Sequence, residues 1–375
     1  MGSIGVLQYA RFFEVRTISA MAQKLGVPWP PRPLIYVRDL IQTAGHSVAY
    51  RSDGVEQPWA VLLCKFSDDL SEPFPRSFYE NLFSISGTRT MNLTDFFRDA
   101  SQRKLDMTGC TVFGWFILDQ KRSDYKGRQS PLVNWAKQKA SEEHVDLSPF
   151  AVIVVSMNVP TDLFGSTGYA VCDNGIWPNG ESSLSPSVVG QEMGHGYGLA
   201  HSRADGFLTD YGDPWDVMST LAANMAPSPT MTQLDARGRT VFWIGPMLNA
   251  ANMSGRGWLN GLRVWNAASS VPQTVILRPL AKPDLPGWIA ARISDYFVEF
   301  RVKEGWDANI PRPAVLVHRF QGNQSYIMLG TKGNKDLVAG DIFQVGDLGS
   351  SPWTTLQVVN IDPDGYTATV QMATG

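Results

Sequence analysis

The chain has 375 residues, 43% hydrophobic and 18% charged, which suits a globular protein long enough for two domains. A formal net charge of -3 gives no reason to expect nucleic acid or an anionic membrane as partner. No apolar run is long enough to span a membrane, and three cysteines (Cys64, Cys110, Cys172) make no disulfide framework.

Residues 1–57 read as an N-terminal extension. Tyr9, Arg11, Glu14 and Arg16 interrupt it before any apolar stretch of signal-peptide length. The chain as given is therefore expected to be soluble and cytoplasmic, with secretion as the alternative if a signal was removed. Ile18, Met21, Ala22 and Leu25 have helical spacing, and Pro28 to Pro33 forms an extended break. Two roles stay open for the extension: a pro-segment over a cleft, or a segment packed on the main domain. It has no cysteine to block a metal, which favours the second.

A main domain is expected over residues 58–268. Ala60 to Phe66, Cys110 to Leu118 and Phe150 to Ser156 are apolar runs of strand length. Between them, Pro73 to Leu82, Leu93 to Ser101 (capped at Thr94) and Pro131 to Ala140 have helical patterns. This alternation predicts an α/β sheet. Tyr169 to Cys172 is expected to be its edge strand.

The next stretch carries the chemistry. Ser185 and Pro186 suit a helix start, and Gln191-Glu192-Met193-Gly194-His195 follows within it. On a helix Gln191 and His195 share one face, with Glu192 beside it. Gly198 can end the helix in a left-handed conformation, so the chain turns and returns His201 toward His195. Two imidazoles supply metal ligands, and a carboxylate beside them can take a proton from water.

The spacing Glu192-x-x-His195-x-x-Gly198-x-x-His201 resembles the metzincin zinc-peptidase signature, with Gln191 at the place of the first histidine. A glutamine there looks like the gametolysin family. Tyr211-Gly212-Asp213-Pro214-Trp215-Asp216-Val217-Met218 resembles the methionine turn of the gametolysin and immune inhibitor A families. The resemblance implies zinc held by Gln191, His195 and His201, with Glu192 as general base and Met218 beneath the metal. The amide oxygen of Gln191 has the reach of an imidazole nitrogen and is neutral, but it is the poorer zinc ligand. Tyr211 is a candidate oxyanion stabiliser or a structural tyrosine. Asp213 and Asp216 are expected to anchor the turn, Asp205 to be a loop acid, and His318 to be a core or edge histidine.

Leu234 and Val241 suggest a helix from Thr232 to Phe242 that closes the domain. Residues 269–375 then change pattern, with short strands such as Tyr296 to Arg301 and Ala314 to His318 between Gly, Pro and Asp turns. They predict a β-sandwich, and Glu299-x-Arg301-x-x-x-Gly305-Trp306-Asp307 resembles the matching region of immune inhibitor A-like proteins.

The expected whole is an α/β (α+β) metzincin-like catalytic domain with a C-terminal all-β sandwich. Its expected function is a Zn2+-dependent endopeptidase acting on a protein or peptide substrate through metal-activated water. Two alternatives stay open: a metal-poor pseudo-peptidase serving as a binding module, and a metal-dependent enzyme for a small non-peptide substrate.

Overall fold

A computed structural model describes residues 58–375, apart from 128, 177–179, 208, 235–237, 239 and 349–350. The expected N-terminal extension, with its two open roles, lies outside the described residues. The described residues fall within one compact unit, Ser52–Gly375. It is a mixed α/β fold with many strands in several sheets and few helices.

The first sheet holds β1 (Trp59–Lys65), β2 (Thr111–Ile117), β3 (Val152–Met157), β4 (Phe164–Ser166) and β5 (Tyr169–Asp173), in the order β2-β1-β3-β5-β4. All pairs are parallel except β4 on β5. Alternate residues of β1 enter different cores, as a sheet buried on both faces requires. Trp59, Val61 and Leu63 pack with helices α1 (Arg76–Phe83) and α2 (Leu93–Ala100). Ala60, Leu62 and Cys64 pack with α3 (Gln129–Glu142).

Three local expectations are corrected. The cap of α2 is Asn92, whose Oδ1 accepts from the Asp95 N–H at 2.9 Å; Thr94 only donates its hydroxyl to that same oxygen. Strand β5 is interior, and the edge is β4. Phe164-Gly165-Ser166 carries no apolar run to announce it, and Gly165 is there for close approach. A Cβ at 165 would lie 2.1 Å from Glu192 O and 2.5 Å from His195 Cβ. No helix spans the described part of Thr232 to Phe242. Leu234 instead bridges Thr240, and the described helix that follows is α5 (Ala250–Gly255), capped by Asn249.

The C-terminal strands form two sheets. One, in the order β10-β17-β16-β15, holds β10 (Gln273–Leu277), β15 (Ile342–Val345), β16 (Thr354–Asp362) and β17 (Thr367–Thr374). The other runs β6-β14-β13-β12-β11-β9. It holds β11 (Ala290–Ile293), β12 (Tyr296–Arg301), β13 (Ala314–Gln321) and β14 (Gln324–Ile327), with β6 (Arg203–Ala204) and β9 (Val264–Ala267) at its ends. Residues of both sheets, among them Leu277, Val298, Phe300, Leu356 and Val370, share one core. The six-stranded sheet crosses the expected boundary at residue 268, because β6 and β9 come from the segment before it. Two-residue β6 is too short to show a period of two in the sequence.

Candidate metal centre

Helix α4 (Pro186–Gly196) is almost wholly buried, and burial rather than propensity holds it. Gly190, Gly194 and Gly196 each cost roughly 1 kcal/mol of helix propensity. Burying Val188, Val189 and Met193 offsets this at roughly 1.5–3 kcal/mol each. Pro186 takes the first helical turn as expected, but Ser185 does not cap: its hydroxyl donates to Val241 O. The C-terminus closes as a Schellman motif. Gly198 has φ +85°, its N–H reaches His195 O, and the Leu199 N–H reaches Gly194 O. That reversal lays Leu199 O on His195 Nδ1 at 2.7 Å.

The reversal also returns His201. The two imidazole centroids lie 4.6 Å apart, with ring planes at 78°. His201 Nδ1 is 3.2 Å from Asp210 Oδ2, and the Tyr211 hydroxyl is 3.0 Å from His201 Nε2. A carbonyl and a carboxylate only accept, so both Nδ1 atoms carry a proton, and in the neutral ring Nε2 is then the lone-pair atom. Burial first, then the neighbouring His201, pushes His195 down to about 4, so it stays a neutral donor of that lone pair. Burial pushes Glu192 up to about 7, against the opposing hydrogen bond from Gln191. The His201 hydrogen bond, opposed by burial and reinforced by Arg203, holds Asp210 well below the usual carboxylate range.

Gln191 sits on the His195 face and is buried. Its Oε1 accepts from the Thr220 N–H at 2.9 Å, and its Nε2 lies 3.3 Å from Glu192 Oε1. A hydrogen bond also links its side chain with Tyr211. The carbonyl oxygen of an amide has two lone pairs, so one stays available beyond Thr220. Among the described residues no group of three or more His, Cys, Asp or Glu could hold a metal ion. A metal at this place therefore needs a donor of another kind beside His195 and His201; the candidates are Tyr211, in contact with His201, and Gln191, hydrogen-bonded to Tyr211.

The methionine turn docks against α4. Asp216 caps the short 3-10 helix Val217–Ala222, and the Ser202 N–H donates to Met218 O. Met218 is fully buried, and a Cβ at Gly194 would lie 2.5 Å from its sulfur. Asp213 and Asp216 accept from the Trp215 and Met218 N–H groups, as expected of turn anchors. Asp205 pairs with Arg319 on the surface side. His318 is a buried partner of Asp213, at 2.9 Å, away from the two site histidines.

Two side chains of the candidate site carried almost no sequence signal. Asp210 holds His201, and Arg203 Nε donates to Asp210 Oδ1 at 2.7 Å. An acid nine residues past a ligand follows no spacing rule; its place just before Tyr211 was the one available hint.

No family profile matches the chain, and no curated protein matches it. Two crystal structures of wild-type OgpA from Akkermansia muciniphila are similar at 11% identity, covering 88% of this chain and 98% and 96% of those chains. Their TM-scores are 0.34 and 0.32, a likeness too slight to carry an argument.

Proposed function

We propose that the chain is a zinc-dependent endopeptidase with a metzincin-like catalytic domain and a C-terminal β-sandwich. The observation that carries this reading is the histidine pair: neighbouring rings, each with Nδ1 engaged by an oxygen, so that in the neutral ring Nε2 is the donor atom; a metal would displace the Tyr211 hydroxyl from that of His201. That donor set fits zinc, with Gln191 Oε1 as third donor through its remaining lone pair. Bound there, zinc would supply Lewis acidity to the substrate carbonyl and to the attacking water. Glu192, with a proton affinity near neutrality, takes the proton from the water and returns it to the leaving amine. The Tyr211 hydroxyl, beside His201, would donate to the oxyanion once a metal takes the His201 Nε2 that it now meets. Strand β4 offers a sheet edge whose Gly165 lies against Glu192 and His195, so an extended peptide pairing with it runs past the base.

Elemental analysis of purified protein tests the reading. It should find about one zinc per chain, lost on chelation, as three protein ligands and a water position imply. Protein that holds no metal even after zinc addition overturns it. One observation favours a second reading, the metal-poor pseudo-peptidase: both polar atoms of the Gln191 amide have protein partners, Thr220 and Glu192. Cleavage of a peptide library by the zinc-loaded protein separates the two.

A further inference from the structure

His201 lies outside the helix that carries His195, so nothing in α4 sets the direction of its ring. Its backbone is held by the β13–β14 hairpin. The Ala200 N–H donates to Asn323 O at 2.9 Å, and Gln324 Nε2 donates to His201 O at 2.7 Å. The chain then enters β6, which pairs with β14 through Arg203 and Ala204. These contacts place the Cα of His201, and the Tyr211 hydroxyl meets its Nε2 at 3.0 Å, but a hydroxyl donates or accepts and so does not choose the tautomer. Asp210 does choose it: one carboxylate oxygen accepts from the His201 Nδ1–H and the other from the Arg203 Nε–H. Arg203 is itself buried, on the strand that β14 holds.

We propose that Asp210, braced by Arg203, is the positioning residue that fixes the His201 ring and its tautomer, so that Nε2 faces the site as a lone-pair donor. Without the carboxylate the proton is free to occupy Nε2, where it blocks a ligand and donates to the Tyr211 oxygen instead. The effect on metal affinity rests on the zinc reading above; the effect on the tautomer does not. Carboxylates behind ligating histidines act in this way, and their loss costs about 10–100-fold in metal affinity.

The test uses the full chain, metal-free, with 15N-labelled histidine. There are five histidines, and the His201 signals are assigned by their disappearance in His201→Asn. Wild type should show an unprotonated Nε2 and a protonated Nδ1. Asp210→Ala should move proton density onto Nε2 and weaken zinc affinity about 10–100-fold by titration. Asp205→Ala removes a nearby acid that pairs with Arg319, and should change neither quantity. Where Asp210→Ala does not fold, the isosteric Asp210→Asn carries the test and should fall between it and wild type. A wild-type proton on Nε2, or His201 shifts in the Asp210 variant identical to wild type, overturns the proposal. If wild type itself binds no zinc, the metal reading fails, and the imidazole shifts alone still decide the role of Asp210.

Discussion

Glu192 and Gly194 show how little freedom single residues have at this site. Glu192 neighbours the helix face that bears His195 but is not needed to hold an ion. Glu192→Gln should therefore keep fold and zinc content and lower turnover by about 10²–10⁴, the usual range for a positioned proton-transfer group. Peptidase assays on metal-matched samples check this, and equal turnover removes Glu192 from the mechanism. Gly194 has a steric task. Its missing Cβ leaves room for the Met218 sulfur, which lies 2.5 Å from where that atom would be. Met218 is fully buried, so its thioether can shift only by displacing packed neighbours, and Gly194→Ala should cost about 1–3 kcal/mol in urea denaturation, as overpacking does. An unchanged midpoint would show that the turn slides away freely. At this scale much was legible, since Gln191, Glu192, His195 and Gly198 are tied together by helical spacing alone. Asp210 and Arg203 were not, because their link to His201 passes through a loop whose path no periodicity describes.

Elements meet through a buried polar network between the methionine turn and the six-stranded sheet. Arg301 on β12 pairs with Glu299 at 2.9 Å and Asp307 at 2.7 Å, and donates to Trp215 O at 2.9 Å. The Glu299-x-Arg301 pattern with Asp307 is thus an ion network, a role that strand periodicity could not show. His318 on β13 holds Asp213 of the turn and lies 3.9 Å from Glu299. Burial pushes His318 down, but Asp213 and then Glu299 push harder, and its affinity for a proton ends above the ordinary value of 6.5. Burial and Asp213 push Asp216 up to about 6, against the Asn249 and Met218 N–H groups. Both groups hold protons more tightly folded than unfolded, so stability falls as pH rises. The His318 contribution is fully present below about 6.5 and lost as pH climbs through its higher folded value. His318→Gln should cost about 3–5 kcal/mol near pH 6, because it strips a buried charge partner, and the gap from wild type should narrow at alkaline pH. Urea midpoints at both pH values measure it; a gap that stays constant means that His318 is not charged in the fold. Legibility at this scale followed the strength of the pattern. Apolar β3 was plain, whereas β4 is three residues long, and Leu234 and Val241 suggested a helix where the described chain forms a β-bridge.

The whole molecule is more interdependent than its sequence suggests. The change of pattern near residue 269 is real, since period-two strands follow it, but it is not where contacts stop. Strand β6 leaves the site one residue after His201 and joins β14, where Arg203 pairs with Tyr326, 123 residues later in the chain. Strand β9 joins β11 from the other side of the expected boundary. Truncation near residue 270 therefore removes more than a neighbour. It takes away the Asn323 and Gln324 contacts that hold residues 200 and 201. It strips Asp213 of His318 and frees the Trp215 carbonyl from Arg301. It also removes Phe297 and Trp306, uncovering the core that they share with α2 and α4. Each buried polar group left without a partner costs about 1–3 kcal/mol, against a total stability of roughly 5–15 kcal/mol for a folded protein. Several such losses exhaust that margin. The truncated chain should be insoluble, or soluble without a cooperative melting transition, and it should bind zinc no better than an unstructured chain with the same four histidines. Circular dichroism melting and a zinc titration of the truncated protein check both points. A soluble fragment that melts at the wild-type temperature would show that residues up to 270 fold alone and that β14 only rests against His201 rather than placing it.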